Sequence, residues 1–204
     1  MTDGRGFADL NPVLATAVRS DNMNKDLPSP EILHKLLRYD PDTGFLFWLP
    51  RGLEFFKDAK SWKIWNTRFA GVRAFNSVAT HGYTSGRIFR KQHRAHRVIW
   101  AMQTGDWPKN EIDHVDGNKI NNVFSNLREA TRSQNCANTK SRKNSTSKFL
   151  GVSWCNTYKK WSVRIRDNGR AKNLGYFHCE NQAAMAYDTA AKKIHAEFAN
   201  LNFP

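Results

Sequence analysis

Residues 112–135, IDHVDGNKINNVFSNLREATRSQN, leave this chain few ways to fold. Residues Asn110 to Val115 read as a strand, and Asp116-Gly117-Asn118 is strong turn chemistry because all three tolerate the tight backbone a turn requires. Val123 to Arg128 reads as the returning strand. Thr131 and Gln134 have the spacing of a capping box, in which side chain and backbone bond reciprocally, so a helix begins at Thr131. Asn135 then falls in the first helical turn, folded back over the hairpin. Asp113 and His114 are neighbours, and in a regular strand they point to opposite faces. For them to share a site, the strand must break at that point, which the following Asp-Gly favours.

The side chains of this stretch suit one kind of chemistry. Phosphodiester cleavage needs an activated water and a cation that neutralises charge on the phosphate and the leaving oxygen. An imidazole titrates near neutrality, so His114 can take a proton from water. Asp113 is a hard oxygen ligand of the kind magnesium prefers, and Asn135 offers a neutral carbonyl oxygen to the same ion. One carboxylate and one amide leave coordination positions open for phosphate oxygens and water.

The charge of the chain names the partner class. Lys and Arg number 32 against 18 Asp and Glu, a net charge of +14, and the usual partner of such an excess is a polyanion. Ten basic residues lie between Lys140 and Lys172, against the single acid Asp167. No segment approaches a membrane span of roughly 18 apolar residues, and no signal-peptide pattern opens the chain. Nucleic acid in a cytoplasm is the expectation, with no membrane and no small-molecule substrate. Cys136, Cys155 and Cys179 are widely spaced and contain no Cys-x-x-Cys pair, which predicts free, mostly buried thiols rather than a zinc ribbon.

Residues 112–135 resemble the HNH endonuclease family, specifically the phage and intron-encoded homing branch in which the last His is replaced by Asn. The resemblance extends upstream through Ala95-His96-Arg97-Val98 and Gly105-Asp106-Trp107-Pro108, so it covers roughly residues 94–138. It implies a ββα-metal finger. In that pattern Asp113 matches the metal-ligand acid and His114 the general base. Asn126 matches the central Asn that hydrogen-bonds loop backbone, and Asn135 the second metal ligand. Magnesium is the implied ion, with manganese a substitute. His96 and Arg97 are open between buried partners and phosphate contacts, and Arg128 and Arg132 between gripping phosphate and lying solvated. Asn121, Asn122 and Asn138 read as hydrogen-bonders of loop and helix rather than ligands.

The flanks divide the chain further. Residues 1–29 are polar and aperiodic, the pattern of a disordered leader, and Met23 offers an alternative start. Residues 30–92 read as an α+β region. Glu31 to Tyr39 has a helical stripe of Ile32, Leu33, Leu36 and Leu37, closed by Pro41, and Asp42-Thr43-Gly44 turns into a strand Phe45–Trp48. Residues 51–70 resist assignment. Short strands follow around Gly82 to Phe89, then a helix from Ala95 to Gln103. The Trp and Phe side chains here read as core. Residues 93–140 hold the nuclease motif, and 141–148 form a basic linker.

Residues 149–204 read as a separate module. From Lys160 to Arg166 the pattern alternates, with Trp161, Val163 and Ile165 on one side and Lys160, Ser162, Arg164 and Arg166 on the other. Asp167-Asn168-Gly169 is a hairpin turn, Lys172 to Phe177 the return strand, and Asn181 to Ala199 an amphipathic helix with small alanines. This module resembles the APETALA2/ethylene-response-factor DNA-binding domain. The matching pieces include Phe149-Leu150-Gly151-Val152, Leu174-Gly175-Tyr176-Phe177 and Ala183-Ala184-Met185-Ala186-Tyr187-Asp188. The resemblance implies a three-stranded antiparallel sheet on one helix. It places double-stranded DNA against Ser153, Trp154, Arg164, Arg166, Lys172 and Asn173, with Lys160 on the same basic strand. Leu150 and Ser153 stand where the plant domains carry arginine, so base specificity of the plant kind is not implied.

The expectation is an α+β, metal-dependent DNA endonuclease of a phage or mobile element, acting in a bacterial cytoplasm and addressed by its C-terminal sheet. A DNA-binding regulator built on a degenerate HNH scaffold is the alternative, and an RNA-binding protein a third reading. Target sequence, oligomeric state and nicking versus double-strand cleavage are not encoded legibly.

Overall fold

The computed structural model describes residues 27–79, 81–138 and 144–204. Residues 1–26 of the expected leader, with Met23, lie outside the described residues, as do residues 141–143 of the expected linker. The protein is α+β, with small antiparallel sheets and short helices. It falls into two compact units. One comprises the described residues up to Trp107 with Asn122–Phe124; the other comprises Pro108–Asn121 and Ser125–Pro204.

In the first unit, helix α1 (Pro30–Leu36) starts at Ser29, whose hydroxyl accepts the Ile32 N–H at 3.4 Å. The helix stops three residues short of the expected end at Tyr39. Leu37–Asp40 is instead strand β1, paired antiparallel with β2 (Phe45–Trp48) from Leu37↔Trp48 to Asp40↔Phe45. Leu33, Leu36 and Leu37 are buried in this arrangement. The hairpin across Asp42-Thr43-Gly44 takes Leu37 to Tyr39 from the helix because the ladder satisfies their backbone groups while Leu37 stays in the core. Strand β3 (Arg73–Ala74) completes the sheet.

The unassigned stretch 51–70 contains a 3-10 turn, Leu53–Phe55, and helix α2 (Ala59–Phe69). Asp58 caps this helix, its carboxylate accepting the Ser61 N–H at 2.6 Å. Trp65 lies edge-on to Trp48 at 5.8 Å, and the Arg51 guanidinium sits 3.9 Å from its ring centroid. Strands β4 (Ser77–Val78), β5 (Thr84–Ile88) and β6 (Lys91–Arg94) form a second sheet. Helix α3 (Ala95–Thr104) follows, burying His96, Val98, Ile99, Ala101 and Met102 and ending at left-handed Gly105. No helix among the described residues is long and apolar enough to cross a membrane.

The second unit holds a hairpin of β7 (Glu111–His114) and β8 (Leu127–Ala130), then helix α4 (Arg132–Ala137). The expected return strand begins four residues late, because Phe124–Asn126 forms a 3-10 turn first. The capping box at Thr131 and Gln134 is present in both directions. The C-terminal sheet has the order β11-β10-β9, with β9 Val152–Cys155, β10 Lys160–Asp167 and β11 Arg170–Phe177. Helix α5 (Glu180–His195) covers one face, and a 3-10 turn, Ala196–Phe198, ends it. The core joins Phe149, Val152, Val163 and Ile165 to Ala183, Ala184, Tyr187 and Ala191. Gly151 has φ +75°, and a Cβ there would fall 2.1 Å from the Tyr187 ring. Cys136 and Cys179 are exposed, not buried as expected, because Cys136 faces outward from α4 and Cys179 precedes α5. None of the three forms a disulfide among the described residues.

Segment 122–124 is tied tightly to the first unit. The Tyr39 hydroxyl donates to the Asn122 carbonyl at 3.3 Å and accepts from the Phe124 N–H at 2.9 Å. Gly44, at φ +70°, leaves no room there, since a Cβ would lie 2.4 Å from the Val123 nitrogen. Gly44→Ala therefore adds both left-handed strain and a backbone clash. It is expected to cost at least about 2 kcal/mol, measured by denaturant unfolding, whereas Gly71→Ala, also left-handed but in open space, costs about 1 kcal/mol.

Candidate active site

The loop between β7 and β8 is built on Asn126. Its Nδ2 donates to Asp116 Oδ1 and to the Asn121 carbonyl, both at 2.9 Å, while its Oδ1 accepts the Asp116 N–H at 3.0 Å. One side chain thus closes both ends of the turn. Asp116 Oδ1 also accepts the Asn118 N–H at 2.7 Å, and Oδ2 accepts Asn121 Nδ2 at 2.7 Å. Burial works to raise the Asp116 pKa, but these hydrogen bonds outweigh it and hold the carboxyl below its ordinary value.

Strand β7 runs unbroken through both candidate residues. Asp113 pairs with Arg128 and His114 with Leu127, so the strand ends after His114 rather than between the two. The break anticipated so that the two could share a site does not form between them. Asp113 lies on the face carrying Arg128, and His114 on the face carrying Leu127. Both are buried, at 5% and 3% exposure.

Helix α4 crosses the Asp113 face. Asn135 Nδ2 donates to Glu111 Oε2 at 2.5 Å. The amide that reaches Asp113 belongs to Asn138, three residues on: its Nδ2 lies 3.1 Å from both carboxylate oxygens and 2.8 Å from the His114 carbonyl. Glu111 and Asp113 are two apart on a strand and share its face, and Asn135 and the C-cap residue Asn138 both reach that face from α4. Only the direction in which helix crosses strand decides which amide meets which acid. Arg128 is neither free to grip phosphate nor solvated. Its Nε and Nη2 lie 2.9 and 2.8 Å from Asp113 Oδ2, and its side chain is 19% exposed.

Donor chemistry at this face fits a hard cation. Asp113 and Glu111 present carboxylate oxygens, and Asn135 and Asn138 carry amide oxygens that a half-turn about the side-chain amide exchanges with the donating nitrogens. No group of three or more His, Cys, Asp or Glu side chains clusters among the described residues.

The C-terminal sheet sorts its candidates by register. Ser153 pairs with Ser162 and Arg164 with Asn173, and Arg166 lies two residues beyond Arg164, so these share the face away from α5. Lys160 lies on that face by alternation. Ser162 also belongs to it but is buried, with Tyr176 as its cross-strand partner. Trp154 sits opposite Trp161, the rings 5.1 Å apart, and Lys172 opposite Ile165 with its Nζ 2.6 Å from Asp167. Trp154 and Lys172 are therefore on the helix side. A register shift between Val163 and Arg164 keeps Leu174 against the core.

Asn126→Ala removes the three hydrogen bonds that close the turn, two of them to exposed Asp116, and is expected to cost about 1 kcal/mol or more by denaturant unfolding. Because the folded Asp116 pKa is lowered, its contribution is present above the ordinary carboxylate value and lost as pH falls through the folded value. Amide exchange at Asn118 should therefore gain an acid-dependent opening that Asp116→Asn abolishes.

A family model for the HNH endonuclease matches residues 93–137. Protein 3.8 of Escherichia phage T7 is 33% identical over 116 residues, 56% of this chain and 95% of that protein. The uncharacterized HNH endonuclease L560 of Acanthamoeba polyphaga mimivirus is 39% identical over 111 residues, 52% of this chain and 56% of its own length. Dehydration-responsive element-binding protein 2D of Arabidopsis thaliana is 42% identical over 50 residues, 24% of each chain. The solved structure of the HNH homing endonuclease I-HmuI aligns over 82% of this chain and 90% of its own, with a TM-score of 0.36 and 19% identity. Identity that runs nearly the full length of the phage protein, with the HNH model lying on the hairpin and its helix, places this chain in the HNH endonuclease family.

Proposed function

We propose that the protein is a metal-dependent endonuclease of the homing type that hydrolyses phosphodiester bonds in duplex DNA. The observation that carries this reading is the β7–β8–α4 unit, in which buried Asp113 lies under the amide face of α4 and beside His114 at the strand end. Asp113 would hold the cation, with an amide oxygen of Asn135 or Asn138 turned toward it. A bound magnesium or manganese ion supplies charge neutralisation at the phosphate and the leaving oxygen. His114 is the last residue of β7, where the strand gives way to the Asp116-Gly117 turn. His114 takes the proton from the attacking water, a 3′ oxygen leaves, and the products carry 5′-phosphate and 3′-hydroxyl ends. Asn126 holds the loop that fixes the end of β7.

The C-terminal sheet supplies the address. Ser153, Lys160, Arg164, Arg166 and Asn173 form the DNA-contacting face, and a sheet can lay such side chains into the major groove. Residues 149–204 act as this DNA-binding module, 93–140 as the nuclease finger and 30–92 as its α+β support. The protein works in the cytoplasm of a phage-infected bacterium.

Purified protein is expected to nick supercoiled DNA with magnesium and to stop with EDTA. His114→Ala should lower the rate by about 10²-fold or more while the protein still binds DNA. Binding without metal- and His114-dependent nicking would establish the regulator reading instead. Arg164→Ala and Arg166→Ala should each weaken DNA binding and reduce the slope of log affinity against log salt by about 1, as for a lost phosphate contact.

A further inference from the structure

Arg128 touches more than Asp113. While Nε and Nη2 hold Asp113 Oδ2, its Nη1 donates to the Glu197 carbonyl at 2.5 Å, and its guanidinium carbon lies 4.0 Å from the centroid of the Phe198 ring. Glu197 and Phe198 belong to the 3-10 turn that closes α5. Phe198 is buried at 7% exposure, so the ring is a fixed platform rather than a mobile cover. A single cation therefore has one end on the candidate metal-ligand acid and the other on the C-terminal module, at Glu197, 69 residues further along the chain.

We propose that Arg128 is a positioning residue that competes with the metal ion for Asp113 and is held in place by the turn Ala196–Phe198. The proposal rests on the reading of Asp113 as the cation ligand. A guanidinium and a divalent ion draw on the same lone pairs of one carboxylate, and each repels the other. With Oδ2 taken by two N–H groups and Oδ1 by the Asn138 amide, an ion reaches Oδ1 only if that amide turns, and it binds against the positive charge of Arg128. The carbonyl of Glu197 and the ring of Phe198 keep that charge at the carboxylate instead of releasing it to solvent. The C-terminal module thus sets the affinity of the nuclease site through Arg128, independently of what its basic sheet contacts.

The test is manganese binding by the full chain without DNA, read by calorimetry. Arg128→Gln keeps a hydrogen-bond donor near Asp113 and removes the charge. It should tighten binding about tenfold, the order expected when a unit positive charge is removed from beside a divalent ion even at the dielectric of water. Phe198→Ala should tighten it about threefold by loosening Arg128, and should add nothing in the Arg128→Gln background, since it acts through Arg128. A purely structural role predicts unchanged or weaker binding in both variants. That result, with binding still abolished by Asp113→Asn, overturns the latch and leaves the metal site standing. Binding that Asp113→Asn does not alter overturns both. If Arg128→Gln fails to fold, Phe198→Ala, which leaves Asp113 its partner, decides alone.

Discussion

Asp113 is a carboxylate in the interior of a two-stranded ribbon, and an ion in that position requires a partner. Removing a charge from water costs several kcal/mol unless hydrogen bonds and an opposite charge offset it. The partner is Arg128, directly across the ladder, and the remaining lone pairs are met by Asn138 at the end of α4. The need to satisfy this one carboxylate sets the register of β7 against β8. It sets the placement of α4 over the same face, and it draws the C-terminal turn in to support the guanidinium. A slip of one residue in the hairpin would turn Asp113 to the Leu127 side and leave it with no counter-charge.

The loop at the other end of the hairpin obeys the same rule at lower stakes. Asp116 is exposed, and its charge costs little, but its N–H and the Asn121 carbonyl both face the Asn126 side chain. Asn126 answers them because an amide offers both a donor and an acceptor on one short stem. A carboxylate at 126 would repel Asp116, and a hydrocarbon would satisfy neither end. The asparagine is therefore a chemical requirement of the loop.

Buried apolar groups position the rest. In the C-terminal module, small alanines on α5 let the helix lie close to Val152, Val163 and Ile165, and Gly151 gives the Tyr187 ring its space. This fixed inner face decides the outer one: alternation along β10 turns Arg164 and Arg166 to solvent. The shift between Val163 and Arg164 changes the outcome on β11, where Lys172 ends on the helix side with Asp167.

Local chemistry alone determined much of this. The Thr131 capping box, the Asp116-Gly117-Asn118 turn and the alternation of β10 are interactions between residues close in sequence, so their periods and spacings are visible before folding. Tertiary structure decided what depends on the meeting of distant segments. Leu37 to Tyr39 left a helical pattern for a ladder with β2, an outcome set by partners rather than propensity. The crossing of α4 over β7 brought Asn138, not Asn135, to Asp113, because the direction in which the helix crosses the strand, and not the spacing of the residues, decides which amide meets which acid. Arg128 looked like one basic residue among many, and only the fold gave it Asp113 on one side and Phe198 on the other. Residue types and spacing specify which chemistry is available. Which atoms face each other is a property of packing, since it depends on the angle and direction at which separately specified elements meet.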